Sequence, residues 1–146
     1  MNSFRAYVVD KPDGQYTVAV KTLTEADLMD GDVTIRVLHS TVNYKDGLAL
    51  TGKAPVVRKF PLIPGIDLSG EVTASASPDF KPGDNVVLTG CGVGETHHGA
   101  YAGMARLKPE WLVPLPATMS PAQAMAVGTA GFTAMQCIIA DRKSVV

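Results

Sequence analysis

Thr41-Val42-Asn43-Tyr44-Lys45-Asp46-Gly47 and, a short loop later, Phe60-Pro61-Leu62-Ile63-Pro64-Gly65-Ile66-Asp67-Leu68-Ser69-Gly70-Glu71-Val72 decide how this chain is read. The first stretch is polar and follows an alternating apolar run, Val33, Ile35 and Val37, which share one face of a strand. A phenol, an ammonium and a carboxylate therefore stand together at a strand's end. The second stretch is a Pro/Gly-hinged return into a new strand over residues 68–74. It sets Asp67 inside a mostly apolar segment that has no evident need of a carboxylate.

Working outward, residues 4–9 and 16–21 read as two arms of a hairpin around Asp10-Lys11-Pro12-Asp13-Gly14, where Pro presets φ and Gly supplies φ > 0. Residues 22–30 are polar and irregular. Residues 44–50 predict a short helix closed by Gly52. Lys81-Pro82-Gly83-Asp84 has the Pro and Gly positions of a type II turn, and residues 85–89, 100–107 and 111–115 predict further strands. Short strands, frequent Gly/Pro punctuation and little helix argue for an all-β, barrel-like core.

The C-terminal part is different. Ser120-Pro121-Ala122-Gln123 predicts a helix start, with Ser as N-cap, Pro at N1 and Gln closing a capping box. A helix over 122–127, an interruption at Gly128-Thr129 and a second helix over 130–140 follow. That second helix is apolar nearly all round, with Phe132, Met135, Cys137, Ile138 and Ile139, and such a helix calls for burial on most faces. The division expected is 1–117 for the barrel and 118–146 for a helical segment.

With 146 residues, 46% hydrophobic and 18% charged, the chain is long enough to bury a core. A net charge of -1 lacks the basic footprint of a nucleic-acid binder. No apolar run in the sequence approaches the ~20 residues of a membrane span, and residues 1–20 lack a basic-then-apolar signal pattern. A cytoplasmic location is the expectation, with Cys91 and Cys137 as free thiols.

Three chemistries find little support. Gly90-Cys91-Gly92-Val93-Gly94-Glu95 fails as a dinucleotide fingerprint: the third glycine would fall on Glu95, and no amphipathic helix follows. There is no Gly-x-Ser-x-Gly elbow for a hydrolase. The cysteines are too few for a cysteine-built zinc site, and His97-His98 are adjacent, a poor spacing for ligating one metal.

The pattern Asn43-Tyr44-Lys45-Asp46-Gly47 with Phe60 to Val72, joined by Leu88-Thr89-Gly90-Cys91-Gly92-Val93-Gly94-Glu95 and Ala126-Val127-Gly128-Thr129-Ala130-Gly131-Phe132-Thr133-Ala134-Met135, resembles the medium-chain dehydrogenase/reductase superfamily in its zinc-free branch. The resemblance runs through nearly the whole chain. It implies a fold that is mainly β: a chaperonin-10 (GroES)-like, partly open barrel with short helices and a C-terminal helical segment, the Rossmann domain being absent. Zinc-dependent members carry His-Glu where this chain has Ile66-Asp67, so no zinc is expected. The implied cofactor is NADPH, bound mainly by the domain missing here. The ending, Asp141-Arg142-Lys143-Ser144-Val145-Val146, departs from the family's continuation and reads as a truncation.

The implied reaction is reduction of a polarised double bond in a small-molecule acceptor, acryloyl-CoA or a quinone. Such chemistry needs donors placed where negative charge develops. Tyr44 is the candidate donor and proton relay, with Lys45 beside it and Asp67 to orient either, or merely to cap a turn. Asn43, Tyr44, Gly128 and Thr129 are the candidates for the nicotinamide end of the cofactor; helix capping is the competing role for the last two. Arg58 and Lys59, with Lys53, border a loop where coenzyme A phosphates would find cations, unless they are simply solvated. The expected assembly is a homo-oligomer, a dimer through the apolar helix, with no nucleic acid or membrane partner. Against both reductase readings stands a non-catalytic barrel module that binds a partner through that same helix.

Overall fold

The computed structural model describes residues 3–141. Two antiparallel sheets form the barrel. β1 (Ser3–Asp10) and β2 (Thr17–Thr24) make a hairpin in register from Ser3↔Thr24 to Asp10↔Thr17. β3 (Val33–Ser40), β4 (Asp67–Ser75), β5 (Asn85–Thr89), β6 (Met104–Leu107) and β7 (Val113–Pro114) form the second sheet, in the order β6-β3-β4-β5-β7. Single bridges, Ala6↔Ala102 and Val9↔Leu62, stitch the hairpin across the barrel mouth. The expected mainly β, GroES-like architecture with a C-terminal helix is what the chain forms.

Alternation places the core. Val33, Ile35, Leu68, Val72, Val86, Leu88 and Leu107 fill the barrel, while Phe4, Ala6, Val8, Leu28 and Ile63 pack under the hairpin. Three local predictions fit closely. α1 (Tyr44–Thr51) ends on Gly52, whose φ of 66° is left-handed. Asp84 N–H donates to Lys81 C=O at 3.1 Å across the Pro82-Gly83 turn. Ser120 N–H donates to Gln123 Oε1 at 2.8 Å, and Gln123 N–H donates back to Ser120 Oγ at 3.2 Å, which completes the capping box.

Elsewhere the structure departs from the reading. Of residues 100–107, only 104–107 are strand; the preceding residues bend across the barrel mouth, where Tyr7 N–H donates to Tyr101 C=O at 2.9 Å. Pro109–Trp111 form a 3-10 turn that shortens the last strand to Val113–Pro114. Residues 22–24 continue β2 rather than forming irregular structure.

The interruption expected at Gly128-Thr129 is present: α2 (Pro121–Asp141) consists of two helical halves broken at Gly128 (φ 49°, ψ −163°). Its first half docks on the sheet: Ala124 and Met125 are buried, and Ser69 Oγ donates to Pro121 C=O at 2.8 Å. Beyond the break, Phe132, Met135, Ile138 and Ile139 stay about half exposed rather than buried. By length and composition alone α2 qualifies as a membrane span, which the sequence reading did not anticipate. The break and the docked first half are not those of a continuous span, since a spanning helix must satisfy its own backbone. The expected ending over 142–146 lies outside the described residues.

Candidate active site

The polar loop after β3, the start of β4 and the break in α2 come together on one carboxylate. Asp67 is fully buried. Its Oδ2 accepts Asn43 Nδ2 at 2.9 Å and Thr129 N–H at 2.9 Å, and its Oδ1 accepts the Thr129 hydroxyl at 2.5 Å. The Asp67 carbonyl takes the Ser40 hydroxyl at 2.7 Å. Three donors on one buried carboxylate supply what water would otherwise supply.

A second carboxylate braces the same loop. Asp46, 1% exposed, accepts Asn43 N–H at 2.8 Å and Asn43 Nδ2 at 3.2 Å on Oδ2, and Ile66 N–H at 3.1 Å on Oδ1. Asn43 precedes the first turn of α1 and Asp46 is its third residue, so the carboxylate also lies at the helix's positive end. The Asn43 amide hydrogens thus point at Asp46 and Asp67. Tyr101 closes the cluster by donating its hydroxyl to Thr41 C=O at 3.1 Å. Burial, then the charges of Asp46 and Asp67, push its phenol up, so it stays a donor.

In the sequence Asp46 stands as the carboxylate beside Tyr44 and Lys45 with no role of its own, and Tyr101 is not singled out. Asp46 carried a legible signal, the Asn-x-x-Asp spacing of a capping box, which was passed over. Tyr101 carried none, because its partner is 60 residues away.

The predicted site residues divide into three groups. Asn43, Asp67, Gly128 and Thr129 are brought together. Asp67 hydrogen-bonds Asn43 and Thr129 and neither Tyr44 nor Lys45, so the orienting role expected of it is replaced by a bracing one. Tyr44 stands at the first position of α1, 86% exposed, its hydroxyl open to whatever covers this face. Lys45 Nζ reaches Glu95 Oε1 at 2.7 Å and ties α1 to the Gly-rich loop. Arg58 and Lys59 are exposed on the 52–60 loop, and Arg58 N–H donates to Glu95 C=O at 2.9 Å. The same backbone tie brings that loop to the end of the Lys45–Glu95 pair.

The donors suited to a nicotinamide carboxamide are already engaged. Both Thr129 donors and the Asn43 amide hydrogens meet carboxylates. What they can still offer is acceptor capacity: Asn43 Oδ1 and a lone pair of Thr129 Oγ1 suit the NH₂ of a carboxamide. Tyr44 adds a free phenol. The cluster therefore fits one end of a nicotinamide nucleotide. The Gly-rich loop does not add a phosphate cradle: Val93 N–H closes on Gly90 C=O and Gly94 N–H on His97 C=O, with no helix after them. Among the described residues, no group of three or more His, Cys, Asp or Glu is placed to hold a metal ion.

Comparison with known proteins agrees with this architecture. Residues 29–117 match the alcohol dehydrogenase GroES-like domain. The acrylyl-CoA reductase AcuI of Ruegeria pomeroyi is 52% identical over 139 residues, covering 94% of this chain and 42% of that protein. The yhdH oxidoreductase of Salmonella enterica, solved in complex with NADP, superposes with a TM-score of 0.90 at 51% identity, over 93% of this chain and 42% of that one. The Bacillus subtilis protein yhfP, solved with NAD bound, gives 0.92 at 38% identity, over all of this chain and 44% of that one. The chain thus spans less than half the length of these relatives. Since the domain match covers more than half of the chain, it belongs to the alcohol dehydrogenase GroES-like domain family.

Proposed function

We propose that this chain is the catalytic-barrel portion of an NADPH-dependent oxidoreductase that reduces an α,β-unsaturated acceptor, with acryloyl-CoA to propionyl-CoA as the reaction. The observation that carries the reading is the meeting of Asn43, Thr129 and Gly128 on Asp67, with the exposed phenol of Tyr44 on the residue that follows Asn43. The likeness to AcuI, at 52% identity, supports the acceptor; the Salmonella neighbour, solved with NADP, supports NADPH, while the Bacillus neighbour, solved with NAD, keeps NADH as the alternative. The nicotinamide, when bound, supplies the hydride. The chain's own part is to seat the carboxamide end at Asn43 and Thr129, and to offer Tyr44 as a donor where charge builds on the acceptor oxygen. Arg58 and Lys59 face solvent where a thioester's phosphates would pass. The site works without a metal, in the cytoplasm, in a homodimer.

A quinone reductase is the second reading. It is favoured by a cleft of about 640 Å³ whose largely apolar wall, with Val20, Val37, Leu38 and Val42 beside Arg5 and His39, suits a flat acceptor.

The test is a chimera in which this chain replaces the matching part of the Ruegeria protein. NADPH loss with acryloyl-CoA, inhibited by free coenzyme A, is the expected result. Turnover of quinones alone, indifferent to coenzyme A, would select the second reading. A folded, NADPH-binding chimera that reduces neither would sink both.

A further inference from the structure

We propose that Asp67 is a lock across the break in α2: its carboxylate fixes the direction in which the outer half-helix, residues 129–141, leaves the barrel, and ties that direction to the position of Asn43. Little else holds the half-helix over residues 129–140. No residue beyond Gly128 is buried, up to the last described position. Both hydrogen bonds from residues 129–140 to the barrel end on Asp67, one from the Thr129 backbone and one from its hydroxyl. The remaining side-chain bond of this segment, Thr133 Oγ1 to Thr129 C=O at 2.8 Å, is internal to the helix.

The lock acts on a joint that has only a narrow choice of conformation. Gly128, at φ 49° and ψ −163°, sits where essentially only glycine goes. A Cβ there would stand 3.0 Å from Asp67 Oδ2. The missing side chain is what lets the carboxylate reach past residue 128 to the first N–H of the next helix. Thr129 N–H is one of the donors a helix start leaves without an intrahelical partner, and a carboxylate at a helix N-terminus is favourable. Here that cap comes from a strand 62 residues earlier instead of from the preceding residue. The same oxygen holds Asn43 Nδ2, so the loop after β3 and the outer half-helix share one anchor. Asp67 holds Thr129 and Asn43 whichever acceptor or nucleotide the protein uses.

Hydrogen exchange on this chain tests it. Asp67→Asn is nearly isosteric but offers one fewer acceptor and adds an NH₂ among three donors. The expected result is at least a tenfold loss of protection at amides 133–137, with Val86 and Leu88 in the core little changed. Thr129→Val, which removes only the hydroxyl, should give a smaller loss confined to the same amides, and Thr129→Ser should restore protection. Equal loss in core and half-helix would make Asp67 an ordinary packing residue and overturn the proposal, as would no loss at all. If Asp67→Asn fails to fold, Thr129→Val must show the local loss by itself, and its absence there overturns the proposal.

Discussion

Gly128 lies so close to Thr41 that a Cβ built on it would stand 2.9 Å from Thr41 Cγ2. Thr41 begins the polar loop after β3, and its carbonyl is held by Tyr101. The clashing atom is the methyl of a short, β-branched side chain that is stiff at χ1. Gly128→Ala therefore meets two penalties: a backbone conformation an L-residue disfavours, about 1–3 kcal/mol, and a contact on each side of the new methyl. The expected outcome is a lower denaturation midpoint at unchanged slope. A wild-type midpoint would mean that the break reshapes freely.

A second expectation concerns acid. Ile63 N–H donates to His98 Nδ1 at 3.2 Å, so that nitrogen must be unprotonated. Burial, then the neighbouring charge of His97, holds the imidazole below its ordinary value of about 6.5. The unfolded chain then binds the proton more readily than the folded one, so stability rises with pH across this window. The contribution is present above about 6.5 and is lost as pH falls from there through the depressed folded value. Urea midpoints at pH 7.5 and 5.5 should differ more for the wild type than for His98→Asn. Equal differences would remove His98 as the cause.

What was legible in the sequence was mostly local. The Ser120/Gln123 box, the Pro82-Gly83 turn and the Gly52 cap each span a few residues and depend on backbone chemistry that travels with the residue type. The β architecture followed from short strands and Gly/Pro punctuation, and one core face from the alternation of Val33, Ile35 and Val37 in β3. The site was legible only as membership. Asn43, Asp67, Gly128 and Thr129 were all singled out, but the bonds among them cross 24 and 62 residues, and nothing in a linear pattern says which donor meets which carboxylate. Asp67 was given Tyr44 or Lys45 to orient because those are the reactive groups in its motif. The fold gives it Asn43 and Thr129, and gives Lys45 to Glu95. The composition of the outer half-helix calls for burial on most faces, and the barrel buries only the half before Gly128, so Phe132, Met135, Ile138 and Ile139 are left open, as the expected pairing through this helix requires.

That exposure yields a third prediction. Phe132, Met135, Ile138 and Ile139 are each about half accessible. Covering what remains exposed is worth roughly 1 kcal/mol per side chain. Summed over two helices, this can drive pairing, and a two-fold dimer is the commonest closed arrangement. Sedimentation should show a concentration-dependent dimer that Ile138→Lys disperses. A monomer at high concentration with the helix intact would exclude it.

Tyr44 gives the fourth. It is 86% exposed and makes no packing contribution that a phenylalanine could not make. In a full-length version of the enzyme, Tyr44→Phe should leave the melting temperature unchanged and lower turnover. Loss of one positioned donor to a developing oxyanion typically costs about 10²–10³ in rate. Normal turnover would pass the donor role to another group, Lys45 being the nearest in sequence, though it is engaged with Glu95.

The fifth concerns the 146-residue chain by itself. Hydride transfer needs the nicotinamide within about 3–3.5 Å of its acceptor. The affinity that brings it there normally comes from a Gly-rich turn at a helix N-terminus, with a ribose-reading residue beyond. In this chain the Gly-rich loop folds back on itself, and no helix follows it. Thr129 N–H, a helix-start donor that could meet phosphate, is spent on Asp67. The barrel thus offers Tyr44 and a few acceptor atoms to one end of the nucleotide and leaves the pyrophosphate unheld. NADPH affinity should be no better than about millimolar, roughly −4 kcal/mol, and NADPH should not be consumed when acryloyl-CoA or a quinone is added. Calorimetric titration followed by absorbance at the reduced-nicotinamide band measures both. Micromolar binding would require phosphate donors that neither the Gly-rich loop nor the start of the outer half-helix supplies, and the assignment of this chain as one part of a longer reductase would have to be given up.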